Sequence, residues 1–338
     1  MQLFTKLIYF SLSICLLATT TWILNTSTLY SSLTFVPTKI KNMNIVLTGS
    51  LGHISKPLAQ ELIQKGHAVT VISSKADKQT TIEDLGAKAA IGSIEDEAFL
   101  TKTFAGADIV YLMEPPINFF DPNMDTEITW TSIANSYKVA IMNTGVKKVI
   151  HLSSIGGHTT EGNGMLATHH LVENILKQIP EKVSIKTMRP VGFYYNMFAF
   201  LHTIKAQNEI IQNYGSDEKE PWVSPSDIAS VIAEEMEQPF SGRSIRYISS
   251  DEVSTNEVAK ILGEAIGKPD LTWKVISTED FISRLTVAGF TPKAAKGLAD
   301  MNTGRIDTLY EDYTKNRPEL GKVKLKDFAK EFAEVYNK

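Results

Sequence analysis

The sequence predicts an α/β fold in which helices cover both faces of a doubly wound, mainly parallel sheet. From Met43 onward, short apolar segments alternate with amphipathic ones, which is typical of strand–helix crossover units. Several of the short segments are apolar throughout, as expected for strands covered on both faces. The first of them runs directly into a glycine-rich turn and a helical pattern. These three observations place a glycine loop at one edge of the sheet.

The first part of this pattern contains six predicted strands and four long helices. The strands are expected at residues 44–47, 68–72, 87–91, 109–112, 149–152 and 183–188. The helices are expected at residues 55–65, 96–104, 126–143 and 165–178, each with apolar positions at helical spacing. We assign residues 43–190 to this core.

After Arg189-Pro190 the alternation loosens and signals for helix starts dominate. These signals are Ser226-Asp227, the capping-box pair Ser254 and Glu257, and Pro292 at a first helical position. One further strand is expected at residues 245–248. The remainder, residues 191–338, is predicted to be a small, mostly helical C-terminal lobe that is integral with the core.

Composition excludes several classes of function. The chain of 338 residues has a formal net charge of −4 and no long basic run, which argues against a nucleic-acid partner. Its single cysteine, Cys15, leaves no disulfide framework, zinc–thiolate site or cysteine nucleophile in the body of the protein. The seven histidines show no HExxH spacing, so no metal site is predicted.

The strongest motif is the loop that joins the first strand to the first helix, Thr48-Gly49-Ser50-Leu51-Gly52-His53-Ile54-Ser55. Gly49 permits a tight turn, and Gly52 lets backbone N–H groups approach a pyrophosphate at the helix N-terminus. Ser55 stands where a third glycine is usual. An ordinary strand–turn–helix is the alternative interpretation, but the context favours dinucleotide binding. The predicted contacts are Gly49, Ser50, Leu51, Gly52, His53 and Ile54.

The end of the second strand bears on the choice of dinucleotide. An Asp or Glu there would bind the ribose of NAD, but the residues present are Ser73, Ser74 and Lys75. Ser73 and Lys75 are therefore predicted to receive a 2′-phosphate, which favours NADP(H) over NAD(H). Lys75 is alternatively a solvated loop lysine.

Three further cofactor contacts are predicted at the ends of later strands, where ligands of open parallel sheets bind. Met113 ends the fourth strand, and Ser153 ends the fifth. Asp96 follows the third strand and either contacts adenine or caps the next helix.

These residues resemble the NmrA-like group of atypical short-chain dehydrogenases/reductases, including its NAD(P)H:quinone reductase-like members. The similarity runs from about Met43 to Tyr336 and rests on the glycine loop and four later segments. These are VIHLSS (149–154), HHLVE (169–173), MRPVGFYYN (188–196) and VSPSDIA (223–229). The resemblance implies a cleft between core and lobe that holds NADPH or NADH. It leaves catalysis open, because the group contains both reductases and redox sensors.

The chemistry of the cleft is predicted from what the sequence has and lacks. No tyrosine is followed by lysine four residues later, so the usual proton-transfer pair of short-chain dehydrogenases is absent from the sequence. The helix at that place carries His169 and Glu173 on one face. The resemblance matches His169 to a position that lines the nicotinamide pocket, which makes it the candidate catalytic residue. A partly buried histidine without a role is the alternative.

The segment after the sixth strand is predicted to form the substrate wall. Phe193, Tyr194 and Asn196 are the candidate contacts, since aromatic rings suit a flat acceptor, although such clusters also build cores. No flavin motif is evident. The leading hypothesis is thus an NAD(P)H-dependent oxidoreductase that passes hydride to a quinone-like or conjugated small molecule. The alternatives are a non-catalytic NAD(P)-binding redox sensor and, ranked last, a nucleotide-sugar isomerase or dehydratase.

Residues 1–42 differ from the rest of the chain. No charged residue stands between Lys6 and Lys39, and residues 7–24 are mostly apolar. Three interpretations stay open: a membrane anchor, a cleaved signal, or translation that begins at Met43. Contact with a membrane is expected only through residues 7–24, if they are retained. Because its cofactor is held in the cytoplasm, the domain is expected to face the cytoplasm.

Overall fold

The computed structural model describes residues 42–307 and 309–338. Its strands in chain order are β1 (Asn44–Leu47), β2 (Ala68–Ser73), β3 (Lys88–Ile91), β4 (Ile109–Leu112), β5 (Lys148–Leu152), β6 (Ser184–Pro190), β7 (Gly192–Phe193), β8 (Glu209–Gln212), β9 (Glu220–Val223), β10 (Arg243–Ile248), β11 (Asp251–Val253) and β12 (Thr272–Val275). Seven of them form one all-parallel sheet in the order β3-β2-β1-β4-β5-β6-β10. The first six follow the Rossmann strand order, which confirms the predicted fold class.

The helices of the described residues connect and cover these strands. They are α1 (Ser55–Gln64), α2 (Gln79–Asp84), α3 (Glu97–Phe104), α4 (Thr126–Thr144), α5 (Ala167–Leu176), α6 (Leu201–Gln207), α7 (Pro225–Glu237), α8 (Thr255–Ala265), α9 (Thr278–Val287), α10 (Pro292–Asp307), α11 (Glu311–Lys315) and α12 (Leu325–Tyr336). Helix α4 ends at Gly145, whose φ of 75° is the left-handed conformation that glycine adopts without a steric penalty.

Alternate residues of each strand face opposite sides of the sheet, so every central strand supplies two cores. In β1, Ile45 and Leu47 pack on one side with Leu58 and Leu62 of α1. Val46 packs on the other side with residues of α3, α4 and α5. The sheet is therefore doubly wound, and its strand residues are apolar because neither face contacts water.

The C-terminal lobe has its own apolar core of aromatic and aliphatic side chains. This core includes Tyr194, Phe200, Trp222, Trp273, Phe328 and Phe332. Two small sheets support it, one of order β11-β9-β7 and one of β12 with β8. The predicted strand at 245–248 is present as β10, but it extends the central sheet beside β6.

Most predicted helix starts agree with the structure, and one differs. The capping box of Ser254 and Glu257 is formed at α8, and α10 begins at Pro292. Helix α7 begins earlier than Ser226, because Pro225 is its first residue and Ser224 accepts the capping hydrogen bond. Asp227 is then free to accept a hydrogen bond of 2.6 Å from the buried Ser250.

The predictions for the N-terminal segment, residues 1–42, lie almost wholly outside the described residues. Within the described part of the chain, no helix is both long enough and apolar enough to cross a membrane.

Candidate active site

A cleft of about 1610 Å³ opens at the carboxyl ends of the parallel strands. Its lining comes from the turns that follow β1, β2, β3, β4, β5 and β6, and from the C-terminal lobe. Of the predicted site residues, it is lined by Gly49, Ser50, Gly52, His53, Ile54, Ser73, Met113, Ser153, His169, Phe193 and Asn196. The structure therefore brings together residues that the chain separates by up to about 150 positions.

The glycine loop is shaped so that a side chain does not fit at its first position. Gly49 has φ of 85°, and a Cβ there would lie 2.2 Å from Sδ of Met113. Ser50 also adopts a left-handed conformation, with φ of 52°, while its N–H donates to the Ile72 carbonyl at 3.1 Å. Non-glycine residues in this conformation are uncommon and cluster at functional turns.

Ser55 performs the packing role that a third glycine would have. It is fully buried, and its hydroxyl donates to the Thr48 carbonyl at 3.1 Å. The hydroxyl thus ties the first turn of α1 to the end of β1. Helix α1 begins without a side-chain cap and has no acidic residue in its first turn. Its N-terminus accordingly keeps the partial positive charge that suits a phosphate.

The end of β2 lies beside this loop. The Ser50 hydroxyl donates to Oγ of Ser73 at 2.9 Å, which joins the two turns. Ser73 accepts a second hydrogen bond, of 3.2 Å, from the Lys75 backbone N–H. The Lys75 side chain is exposed and does not line the cleft.

Two predicted contacts have structural roles instead of lining the cleft. Asp96 caps α3, because its carboxylate accepts from the backbone N–H groups of Ala98 and Phe99 at 2.9 and 3.0 Å. Leu51 packs against the apolar core beneath the sheet. The capping alternative considered for Asp96 is thus the one that the structure shows.

His169 faces the cleft from α5. Trp130 of α4 packs edge-on against its ring, with 4.9 Å between centroids. Nδ1 of His169 is buried, and it has no hydrogen-bond partner among the described residues. Burial lowers the pKa of His169 to about 4, and this effect outweighs the opposing influence of the Glu114 carboxylate. The imidazole is therefore neutral near pH 7.

A buried glutamate and histidine lie beside it. Glu114 follows β4 and lines the cleft, and its Oε2 lies 3.2 Å from Nε2 of His151 in β5. The histidine side chain is fully buried and the glutamate side chain is 1% exposed. Oε1 of Glu114 and Nδ1 of His151 have no hydrogen-bond partner within the described part of the chain.

Glu173, one helical turn after His169, belongs to a second polar cluster. It accepts a hydrogen bond of 2.7 Å from Ser153, and two from Arg189 at 2.9 and 2.7 Å. Burial by itself would raise the Glu173 pKa, but the hydrogen bonds and the charge of Arg189 lower it overall. Glu173 is thus ionised and fixes the Ser153 hydroxyl at the end of β5.

Arg189 extends this cluster into the C-terminal lobe. Its second guanidinium arm donates to Asp312 at 3.0 Å and to Tyr247 at 3.2 Å. Tyr247 in turn donates to Asp312 at 2.6 Å. We name Ser153, Glu173, Arg189, Asp312 and Tyr247 the arginine network. It connects β5, α5, β6, β10 and α11 beside the cleft.

The predicted substrate wall is only partly on the cleft surface. Phe193 and Asn196 line the cleft. Tyr194 does not: its ring is fully buried in the lobe core and stacks on Phe328 with 5.3 Å between centroids. The next residue, Tyr195, takes the exposed position and packs on His53 with 4.0 Å between centroids. Tyr195, and not Tyr194, takes the cleft position because this segment forms a 3₁₀ helix.

Sequence reasoning also missed an arginine at the lobe side of the cleft. Arg305 donates to Glu220 at 2.9 Å through Nε. Rings of Tyr214, Trp222 and Tyr310 lie 4.5, 5.2 and 5.6 Å from its guanidinium carbon. Burial raises the Tyr214 pKa to about 12 and keeps that phenol neutral. The signal was weak, because the hydrogen-bond partner of Arg305, Glu220, is 85 positions away in the chain.

Among residues 42–307 and 309–338, no three His, Cys, Asp or Glu side chains are grouped so that they would hold a metal ion.

Comparison with known proteins gives a consistent result. The model of the NmrA-like family matches residues 41–316. A sterol-4-alpha-carboxylate 3-dehydrogenase (decarboxylating) from Dictyostelium discoideum is 34% identical over 67 residues. That alignment covers 20% of each protein, so it spans about a fifth of the relative's length.

Solved structures share the fold at low sequence identity. An NADPH-dependent quinone oxidoreductase from Escherichia coli, complexed with NADPH, superposes with a TM-score of 0.73 and 18% identity, over 85% of this chain and 99% of that one. A triphenylmethane reductase from Citrobacter sp., complexed with NADP(H), gives 0.68 and 19%, over 86% and 99%. A nucleoside-diphosphate-sugar epimerase from Staphylococcus aureus gives 0.69 and 16%, over 85% and 100%.

Proposed function

Because the chain belongs to the NmrA-like family, we propose that it is an NADPH-dependent oxidoreductase that passes hydride to a quinone-like acceptor. The observation that carries the proposal is the position of His169. This neutral imidazole lines the same cleft as the glycine loop, within a mainly apolar and aromatic surface. A flat, weakly polar acceptor suits such a surface.

The cofactor half of the cleft fits a dinucleotide. Gly49 leaves room that a Cβ would fill, and the uncapped N-terminus of α1 suits a pyrophosphate. Ser50 and Ser73 lie where the second strand ends, and no carboxylate follows that strand until Asp77. Because Ser73, Ser74 and Lys75 carry no negative charge, they would not repel the 2′-phosphate of NADPH. This supports NADPH as the preferred form. When bound, NADPH would supply the hydride.

The side chains of this protein would then position the acceptor. Neutral His169 has an N–H with which it can hold a carbonyl oxygen, and Trp130 keeps its ring in place. Ser153 is fixed by Glu173 as a second polar group at the end of β5. Phe193 and Asn196 close the lobe side of the cleft.

The test is NADPH consumption by the purified protein with and without a panel of quinones. Acceptor-dependent consumption is expected, and it would establish a reductase. NADPH binding without consumption for any acceptor would contradict the proposal and favour a redox sensor.

Two variants make this test specific. His169→Ala should slow turnover more than it weakens NADPH binding, whereas unchanged turnover would remove His169 from the mechanism. Gly49→Ala forces a Cβ against Met113 at positive φ and should weaken NADPH binding itself. Its matched control is Gly66→Ala, at a similar positive φ but with nothing within 4 Å of the added Cβ.

A further inference from the structure

Of the polar atoms next to the cleft that are buried without a hydrogen-bond partner in the described residues, three lie on the side of the sheet that α5 covers. They are Oε1 of Glu114, Nδ1 of His151 and Nδ1 of His169. Buried polar atoms are nearly always paired in folded proteins, so three together need an explanation. They also share one place, because His151 lies on the sheet face that α5 covers, and Glu114 ends the strand next to it.

The Glu114–His151 pair is built to hold a mobile proton. Both side chains are buried, and no other ion-pair partner of Glu114 occurs in residues 42–307 and 309–338. A glutamate anion beside a neutral histidine would leave a net negative charge in an apolar site, which is costly. One additional proton, on either the carboxyl or the ring, makes the pair neutral. The nearby Arg189 does not alter this balance, because Glu173 and Asp312 already pair with it.

His169 and Glu114 of this pair both line the cleft. Trp130, whose ring packs on His169, donates its indole N–H at 3.1 Å to the carbonyl of Pro115, the residue after Glu114, which brings His169 close to the pair. The Glu114 carboxylate also favours the charged form of His169, although burial outweighs it. Nδ1 of His169 points into the protein, since it is buried, while the residue as a whole lines the cleft. This leaves Nε2 as the ring nitrogen that can meet an acceptor.

We propose that Glu114 and His151 form the proton reservoir of the site, and that His169 transfers their proton to the reduced acceptor. The proposal rests on the reductase function proposed above and extends it to two residues. It explains why a histidine that stays neutral serves a reaction that consumes a proton: His169 gives a proton at Nε2 while it receives one at Nδ1.

The step balances for a quinone. The acceptor gains hydride, with its electron pair, from NADPH, which is oxidised to NADP⁺. One acceptor oxygen forms a bond to the proton from Nε2 of His169, and Nδ1 takes the proton of the Glu114–His151 pair. The quinone is thereby reduced to the hydroquinone, and the pair regains a proton from solvent.

The test compares two acceptors in single turnover with NADPH-loaded protein. A quinone needs a hydride and a proton, whereas the cationic carbon of a triphenylmethane dye needs only the hydride. Glu114→Gln keeps the size and the hydrogen bond to His151 but removes the ionisable carboxyl. It should slow quinone reduction about 100-fold more than dye reduction, so the ratio of the two rates is the readout. Glu234→Gln, an exposed glutamate on α7, is the matched control and should change neither rate.

The outcomes separate the two proposals. If the wild-type protein reduces neither acceptor, the proposed function fails. If it reduces both, and Glu114→Gln slows both equally or neither, the proton reservoir is overturned while the reductase stands. A solvent isotope effect on quinone reduction, but not on dye reduction, is expected in the wild type and should disappear in the variant.

A second readout needs no turnover. In protein labelled with ¹⁵N histidine and free of cofactor, the His169 ring should be neutral at a pH of about 6 and carry its proton on Nε2. His169→Gln assigns the signal. A charged ring, or a neutral ring with its proton on Nδ1, would overturn the relay, because Nδ1 would then be unable to accept. Glu114, His151, Glu173 and Arg189 are the titratable groups that act on the charge of this ring, so the same spectra of Glu114→Gln test the influence of Glu114 directly.

Discussion

Two buried polar clusters flank the same cleft, and they differ in how completely they are paired. The arginine network uses both oxygens of Glu173 and both arms of Arg189, and it joins the core to the C-terminal lobe. The Glu114–His151–His169 cluster has one hydrogen bond among its three side chains and three unpartnered atoms. Both lie on the face of the sheet that α5 covers.

This difference in pairing indicates that the two clusters have different roles. A buried charge with every hydrogen bond satisfied is fixed in place and supports the structure around it. A buried polar group without partners lowers stability, and such groups persist where they serve function. We therefore expect substitutions in the arginine network to lower stability most, and substitutions in the other cluster to affect stability little at neutral pH but chemistry strongly.

The largest expected effect is on Arg189. Arg189→Met leaves Glu173 buried without its cation and should lower the free energy of unfolding by about 3–5 kcal/mol. Urea denaturation followed by circular dichroism measures this. Adding Glu173→Gln to Arg189→Met should recover part of the loss, because the uncompensated charge is then gone.

A matched arginine sharpens this first comparison. Arg246 lies on the neighbouring strand β10 and also pairs with a glutamate, but its side chain is 32% exposed. Arg246→Met should therefore cost no more than about 1 kcal/mol. Equal losses of unfolding free energy in Arg189→Met and Arg246→Met would contradict the prediction that the arginine network stabilises the fold more than an exposed ion pair does.

The second prediction concerns pH and His169. The pKa of this ring is about 4 in the folded protein and 6.5 in an unfolded chain, so below pH 6.5 the unfolded chain binds the proton more readily. Stability should thus fall as the pH is lowered from about 6.5 to about 4, by up to about 3 kcal/mol. His169→Gln has no group that titrates at this position. Its free energy of unfolding, relative to that of the wild type, should therefore rise as the pH is lowered over the same range.

The measurement is the free energy of unfolding of the wild type minus that of the variant, at several pH values. The subtraction removes the acid sensitivity of Glu173 and other carboxyls, which both proteins share. His170→Gln makes the same chemical change on the same helical turn and serves as the control. A difference that stays constant with pH would show that His169 is not held neutral by burial.

Asp312 tests the outer end of the arginine network. Its side chain is 30% exposed, and Asp312→Asn keeps an oxygen for the hydrogen bonds from Tyr247 and Arg189. The free energy of unfolding should fall by only about 1 kcal/mol, because solvent already screens the charge of Asp312. A loss as large as that of Arg189→Met would place the centre of the network at α11 and not at Glu173.

The two clusters also show what sequence patterns can and cannot predict. The glycine loop, Ser73 and Ser153 were predicted because each depends on local structure, a turn or a strand end. The strand at Asn44–Leu47 was predicted with its observed bounds for the same reason. Apart from β10, the C-terminal strands were missed because they are short and interrupted, such as β9 with its Glu220 and Pro221.

The pairings that define the site were not predictable in this way. Glu114 meets His151 across 37 residues, and Arg189 meets Asp312 across 123. A usable signal did exist: His151 and Arg189 are polar residues at the buried carboxyl ends of β5 and β6. Such a side chain requires a buried partner, but the partner's identity depends on the packing of α5 and α11.

The smallest expected effect lies outside both clusters, at Lys75. Its side chain is exposed and away from the cleft lining, so solvent weakens its influence on a bound phosphate. Lys75→Glu should still shift the ratio of NADPH to NADH affinities toward NADH, by about 2- to 5-fold, since an exposed ionic contact contributes at most about 1 kcal/mol. Titration of each dinucleotide by fluorescence gives the ratio. Lys78→Glu, three residues later, is the control, and an equal shift in both variants would mean that general charge, and not a contact of Lys75, sets the preference.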